Sequence, residues 1–209
     1  IEGRVKDKLF SGEIDSNDPN IKFDFEGLAD LSKEKYKFDF TMHVDHANFN
    51  KLHLFKRDPI AILKGDIKIA MIGNTLENME GSIQFNNATY TNQIQDYNFK
   101  DFTITSAVKD SIQTLGINST DIINGRLSGR FVYKDLMKLA QNAFGSIYTH
   151  YKPYEVSPKQ FLNFRFKIHN QVIAVFFPEI KFGEKTEIRG EINSDEHLFR
   201  LTFKSPEVL

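Results

Sequence analysis

LKGDIKIAMIGNTLENMEGSIQFNNATY, residues 63–90, decides how the chain is read. Side chains alternate across a strand with period two. Gly65, Ile67, Ile69 and Met71 therefore share one face, and Asp66, Lys68 and Ala70 the other. Gly73 and Asn74 break the run, and residues 75–80 are polar and turn-like. Gly81 then opens a second alternation, with Ile83 and Phe85 opposite Ser82 and Gln84. Each run has one apolar and one wet face. The unit of strand, short polar connection, glycine and strand recurs along the chain, so the functional question is what a long series of one-sided strands is for.

Working outward, Ile21, Phe23, Phe25 and Gly27 alternate with Lys22, Asp24 and Glu26. Over residues 36–45, Tyr36, Phe38, Phe40, Met42 and Val44 face one way and Lys37, Asp39, Thr41, His43 and Asp45 the other. Residues 5–15 hold two short strands around residues 10–12. Residues 15–20, DSNDPN, read as a turn cluster whose short polar side chains bond their own backbone. Residues 48–62 are irregular, with Pro59 as a breaker. Downstream, residues 97–108 carry Phe102 and Ile104, with a bulge expected at Lys100 and Asp101. After a strand over 112–119, residues 122–133 place Ile123, Gly125, Leu127, Gly129, Phe131 and Tyr133 on one face. Leu162, Phe164, Phe166 and Ile168 alternate with Asn163, Arg165, Lys167 and His169. Further strands are expected over 172–177, 187–194 and 198–204, the last with Phe199, Leu201 and Phe203 as apolar groups.

One segment changes period. From Asp135 as a cap, Leu136, Leu139, Ala140, Ala143, Phe144 and Ile147 recur at steps of three and four, which defines a helix ending near Gly145 and Ser146. A connector with Pro153 and Pro158 follows. The organisation is thus repeating strands over 1–133, helix and connector over 134–151, and strands again over 152–209. An internal repeat supports the serial reading: GEIDSNDPNIKFDF from Gly12 and GEINSDEHLFRLTF from Gly190 align as two hairpins of one design, matching Ile21 with Phe199 and Phe25 with Phe203.

Composition narrows the function classes. In 209 residues, 27 basic and 28 acidic groups leave a formal charge of -1. No net field draws nucleic acid or an anionic bilayer, so no nucleic-acid partner is expected. Phe is heavily used, at 20 residues, while Cys is absent; this fits aromatic strands and excludes disulfides and thiolate metal sites. No apolar run approaches the roughly 20 residues of a membrane helix. Ile1, Glu2, Gly3 and Arg4 run straight into strand-like sequence and the last residues resume another strand, which reads as an interior piece of a longer repeating protein.

The stretches 63–90, 117–161 (INSTDIINGRLSGRFVYKDLMKLAQNAFGSIYTHYKPYEVSPKQF) and 176–206 (FFPEIKFGEKTEIRGEINSDEHLFRLTFKSP) resemble the TamB-like translocation and assembly module proteins of Bacteroidetes-type bacteria, within the AsmA-like group. The resemblance covers nearly all of the chain. It implies a periplasmic protein of the bacterial envelope, anchored in the inner membrane by a segment outside this sequence, built as an elongated, curled antiparallel sheet with an open apolar groove. The implied activities are movement of phospholipid between inner and outer membrane and assistance to outer-membrane protein assembly. The implied partners are phospholipid acyl chains and, through parts outside this segment, an outer-membrane β-barrel. The family carries no catalytic motif, and no cofactor is expected.

Other constellations weigh little. His43 and His46 are three apart, which on a regular strand puts them on opposite faces, so His43, Asp45, His46 and His53 read as solvated positions and not as a metal site. Asp15 to Asp18 lack the glycine and distal glutamate of a calcium loop. Ser128 in GRLSG misses the nucleophile spacing and falls mid-strand. The sequons at Asn87 and Asn118 matter only in a eukaryotic secretory setting.

Alternation by itself fits two arrangements. In a closed β-sandwich serving as a surface binding or adhesion module, the apolar faces meet at about 10 Å. In an open groove they stay free for acyl chains and exceed the roughly 300–600 Å² apolar patch of an ordinary soluble protein. An enzyme would need convergent polar groups in a pocket, and no residues support one. The resemblance selects the groove, lined in expectation by Phe23, Phe25, Phe38, Phe40, Met42, Ile67, Ile69, Met71, Ile83 and Phe85, then Phe102, Ile104, Leu127 and Phe131, then Phe164, Phe166, Ile168, Phe199, Leu201 and Phe203. Asp39, Lys68, Gln84 and Arg165 are expected to face water. The helix either covers part of that face or gates it.

Overall fold

A computed structural model describes residues 2–56, 58–145, 152–169, 183, 185–195 and 198–205. The strand expected over 172–177 and Ile147 of the helix lie outside these residues. Twelve strands are described: β1 (Glu2–Lys6), β2 (Leu9–Asp18), β3 (Ile21–Asp30), β4 (Tyr36–Asn48), β5 (Ala61–Gly73), β6 (Glu80–Asn92), β7 (Asp96–Lys109), β8 (Ile112–Ser119), β9 (Ile123–Arg130), β10 (Phe161–Ile168), β11 (Glu187–Asn193) and β12 (Leu198–Lys204). They form one antiparallel sheet, not closed, whose strand order follows chain order, with β1 and β12 as its edges. Short connections favour pairing of sequential strands, and a sandwich of two sheets joined by Greek-key crossings is not the topology found.

Local chemistry explains the hairpins. Asp7 and Lys8 both have positive φ (51° and 64°), as do Asp110 and Ser111 (52° and 64°). Two-residue turns of this kind match the right-handed twist of the strands they join. The cluster 15–20 behaves differently from its expectation. Asp15 to Asp18 continue β2, and only Pro19 and Asn20 turn. The Asp18 carboxylate accepts from the Asn20 N–H at 2.8 Å, and one such turn suffices, which leaves Asp15 free to pair in the ladder opposite Asp24.

The two hairpins of the internal repeat also part company. Gly12 pairs with Gly27, fifteen residues on, whereas Gly190 pairs with Leu201, eleven on. The longer β2 carries the turn further from the glycine, so Phe25 lies opposite Ile14 while its sequence equivalent Phe203 lies opposite Ile188. The likeness is one of strand-turn-strand pattern and not of register.

Compactness divides the chain into two units. The first is residues 1–74, 79–105 and 118–121; the second is residues 75–78, 106–117 and 122–209. The boundaries read at 133 and 151 mark a change of local period and not the limits of these units. Within the first unit, β4 is bulged at Asp45 and His46, and β6 at Asn87 and Ala88, where Asn87 has φ 47°. A bulge bends its strand and raises the local twist. In β7 the successive exposed residues Lys100 and Asp101 mark a change of phase, after which Phe102 and Ile104 take the inward positions.

In each unit a segment outside the sheet packs against part of its apolar face. In the first, Phe49 packs against Val44, Ala47 and Ile67. Beside it Asp58 is buried, 4 % exposed, and its carboxylate accepts from the Tyr90 hydroxyl at 2.7 Å. Removing that donor takes a hydrogen bond away from a buried charged group. Tyr90→Phe is expected to cost about 1–3 kcal/mol, read as a lower denaturant midpoint at unchanged slope.

In the second unit the cover is α1 (Leu136–Gly145), entered through a 3-10 turn at Tyr133–Asp135. β9 ends at Arg130, so Phe131 and Tyr133 lie past the strand to which alternation assigned them. Phe131 is buried with Leu139 of the helix, Leu162 and Ile192. Asp135 closes the 3-10 turn and does not cap the helix. Its carboxylate accepts from the Ser157 N–H at 2.9 Å and from Gln160 Nε2 at 3.1 Å, bonds that hold it below the usual carboxylate range. Gln160, 2 % exposed, also accepts from the Val132 N–H at 2.7 Å. This knot ties the entry of α1 to the start of β10, which seats the helix on the apolar side of the sheet.

Candidate functional site

The apolar face is built by register. In the first unit Ile14, Phe25, Met42, Ile67 and Phe85 stand directly opposite one another across five successive strands. The next rung is Gly12, Gly27, Phe40, Ile69 and Ile83, and the one beyond is Phe10, Ala29, Phe38, Met71 and Gly81. Phe23 meets Val44 on the other side. Cross-strand pairs are the unit in which a sheet is stabilised, and here they also form a continuous stripe.

The rings connect along that stripe. Phe10 and Phe25 have centroids 6.0 Å apart, Phe25 and Phe40 4.6 Å, and Phe85 and Phe102 6.0 Å. Phe40 can lean toward Phe25 because its direct partner is Gly27, where any Cβ would overlap the Phe40 Cβ. In the second unit Leu115, Leu127, Phe164, Gly190 and Leu201 make one rung, and Ile117, Gly125, Phe166, Ile188 and Phe203 another. Phe164 and Phe166 stack with centroids 6.4 Å apart, each ring lying over a glycine, Gly190 and Gly125 respectively.

Burial separates lining from core. Phe23, Phe25, Phe38, Phe40, Met42, Ile69, Met71, Ile83 and Phe85 are half-buried, as are Phe102, Ile104, Leu127, Phe164, Phe166 and Phe199. Leu201 and Phe203 are 37 % and 45 % exposed. Ile67, Phe131 and Ile168 are buried, at 9 %, 3 % and 1 % exposed, and offer the least surface of the expected lining residues. Phe10, Ile14, Leu115 and Ile188 belong to the same rungs and went unread. Around the first two, Gly12 and Ser16 occupy apolar-side positions and weaken the alternation signal.

The opposite face is polar, with Asp39, Lys68 and Arg165 exposed and Gln84 half-exposed. A shallow depression there of about 590 Å³ is bordered by Glu13, Asp15, Asp24, Glu26, Thr41, His43, Asp66, Lys68 and Asn86. His43 Nδ1 lies 2.6 Å from Asp66 and Nε2 3.5 Å from Asp45. The spacing argument that put His43 and His46 on opposite faces fails. The bulge inserts Asp45, so His46 pairs with Lys22 while His43 pairs with Asp24, and Lys22 and Asp24 share a face. Among the described residues no group of three or more His, Cys, Asp or Glu side chains is placed to hold a metal.

The hydrogen bond to Asp66, with the charges of Asp66, Asp45 and Asp24, raises the His43 pKa above 6.5 against the opposing effect of desolvation. A group raised in the folded state contributes stability that is fully present below its unfolded value and is lost as pH rises through the folded value. The stability lead of the native chain over His43→Gln is therefore expected in acid and to vanish toward alkaline pH. Denaturation at a series of pH values checks this, and a lead that grows as pH rises would contradict it.

No family model, curated protein or solved structure matches this chain. Among the described residues no helix is long and apolar enough to cross a membrane.

Proposed function

We propose that this chain is part of a non-enzymatic bacterial envelope protein whose apolar sheet face receives phospholipid acyl chains and passes them between inner and outer membrane, with assistance to outer-membrane protein assembly as an associated role. The observation that carries the reading is the state of the aromatic residues. Large apolar groups stand in register through successive strands, yet Phe25, Phe40, Phe85, Phe102, Phe164 and Phe166 on the stripe remain partly open. Partly open apolar surface on this scale calls for a partner. Acyl chains suit a face whose rungs offer aliphatic and aromatic contacts with few hydrogen-bonding groups. The resemblance of residues 63–90, 117–161 and 176–206 to the TamB-like proteins supports the same reading and its periplasmic setting. An outer-membrane β-barrel partner belongs to the proposal only through parts beyond this segment.

The test is lipid content. The chain purified without detergent from bacterial cells is expected to carry phospholipid recoverable by organic extraction, at a level that falls when Phe25 and Phe40 are both changed to Glu. A folded chain free of lipid, which also fails to take up added vesicle lipid, would overturn the proposal.

A further inference from the structure

The polar faces of the two units carry opposed charge in a pattern that a balanced composition conceals. On β2 and β3, Glu13 stands directly opposite Glu26, and Asp15 directly opposite Asp24. All four are exposed, and none is ion-paired to a cation among the described residues. In the second unit Arg126, Arg165 and Arg189 stand directly opposite one another across β9, β10 and β11. They too are exposed. Arg165 reaches Glu187 at 2.6 Å, and on β11 and β12 Arg200 reaches Glu191 at 3.8 Å. Arg126 and Arg189 have no carboxylate partner among the described residues.

Like charges placed directly opposite in a sheet are destabilising. Here the cost recurs in both units with opposite sign, on strands whose spacing is the same 4.7–4.9 Å or so. An acidic rung and a basic rung with one repeat distance are complementary strand for strand. We infer that the acidic face of β2 and β3 docks on the basic face of β9 to β11 of a second copy of this chain. Surface complementarity of this kind sets orientation and speeds encounter. Because the two faces are different patches, the contact is heterologous and either closes between two copies or continues from copy to copy. It leaves the apolar side of each sheet out of the interface, and so stands or falls separately from the lipid proposal.

Sedimentation of the 209-residue chain tests this. At about 0.05 M salt the mass is expected to exceed the 24.2 kDa monomer and to return to it at about 0.5 M, where screening shortens the reach of exposed charges to a few ångströms. Glu13→Lys with Asp15→Lys should abolish association, as should Arg126→Glu with Arg189→Glu. Both pairs relieve like-charge repulsion, so both variants are expected to unfold no earlier than the native chain. Mixing the two should restore association, since each retains the face that the other needs. A monomer at low salt, association indifferent to both reversals, or a mixture that stays monomeric would each overturn the inference. So would a chain that remains monomeric in solution while sedimenting with anionic vesicles through Arg126 and Arg189, which would assign the basic rung to a lipid surface.

Discussion

Phe40→Glu is expected to abolish binding of an acyl-chain probe while leaving the chain folded. Phe40 sits mid-stripe, between Gly27 and Ile69 in its rung and with its ring 4.6 Å from that of Phe25. It is half-buried, so a carboxylate there keeps access to water in the empty protein. When an acyl chain lies over it, that hydration is lost, at a cost of several kcal/mol for an unpaired charge. Each 1.4 kcal/mol is about tenfold in affinity, so a loss of at least about a hundredfold is expected. Asp39→Lys, one residue away on the opposite face, should change binding little. The comparison separates a lining from a core. If Phe40 belonged to a closed core, the carboxylate would remain buried without lipid and Phe40→Glu would unfold the chain. Titration with a fluorescent fatty acyl probe, alongside circular dichroism, distinguishes the outcomes.

The largest expected effect on folding comes from Gly27→Val. Gly27 has φ 154°, within the range that side chains rarely adopt, and a Cβ at this position would overlap Phe40 and the Asp39 carbonyl. Backbone strain of about 1–3 kcal/mol adds to overpacking of about 1–3 kcal/mol. Typical domains have only about 5–15 kcal/mol of stability in all, so much of the first unit's margin would go. The expected result is a markedly lower melting temperature with loss of the Phe25–Phe40 contact. A Gly27→Val chain as stable as the native one would mean that β3 and β4 approach less closely at this rung than described.

Much of this sheet was legible because its signal is local. Alternation in residues 36–45, 63–71 and 162–168 fixes which side chains share a face, and short connections make sequential antiparallel neighbours the expected order. What alternation cannot carry is a change of phase. Nothing in the residue types at Asp45 and His46 announces an extra residue, yet the bulge there reassigns His46 to the face of His43. Register between hairpins is equally silent. GEIDSNDPNIKFDF and GEINSDEHLFRLTF match residue by residue but pair four residues apart, since turn position depends on strand length and not on the glycine both share.

Burial was the least legible property of the site. Phe131 and Phe164 have equal claims from periodicity, but α1 covers Phe131, and the knot of Asp135, Ser157 and Gln160 that seats the helix joins residues 22 and 25 apart in sequence. Ile168 is likewise buried, its N–H donating to the Thr186 carbonyl at 2.8 Å, a contact that no strand pattern records. Long-range covers of this kind decide which apolar positions remain available to a ligand.

If acyl chains lie on the apolar face alone, the two faces of the sheet differ in what they touch, and site-specific photo-crosslinking in bacterial cells measures that difference directly. A photoreactive residue placed at Phe25, Phe40, Phe85 or Phe164 is expected to crosslink phospholipid, and one placed at Asp39, Lys68 or Arg165 is not. Equal lipid crosslinking from both faces, or none from the four apolar positions, would overturn the assignment of the apolar face to lipid.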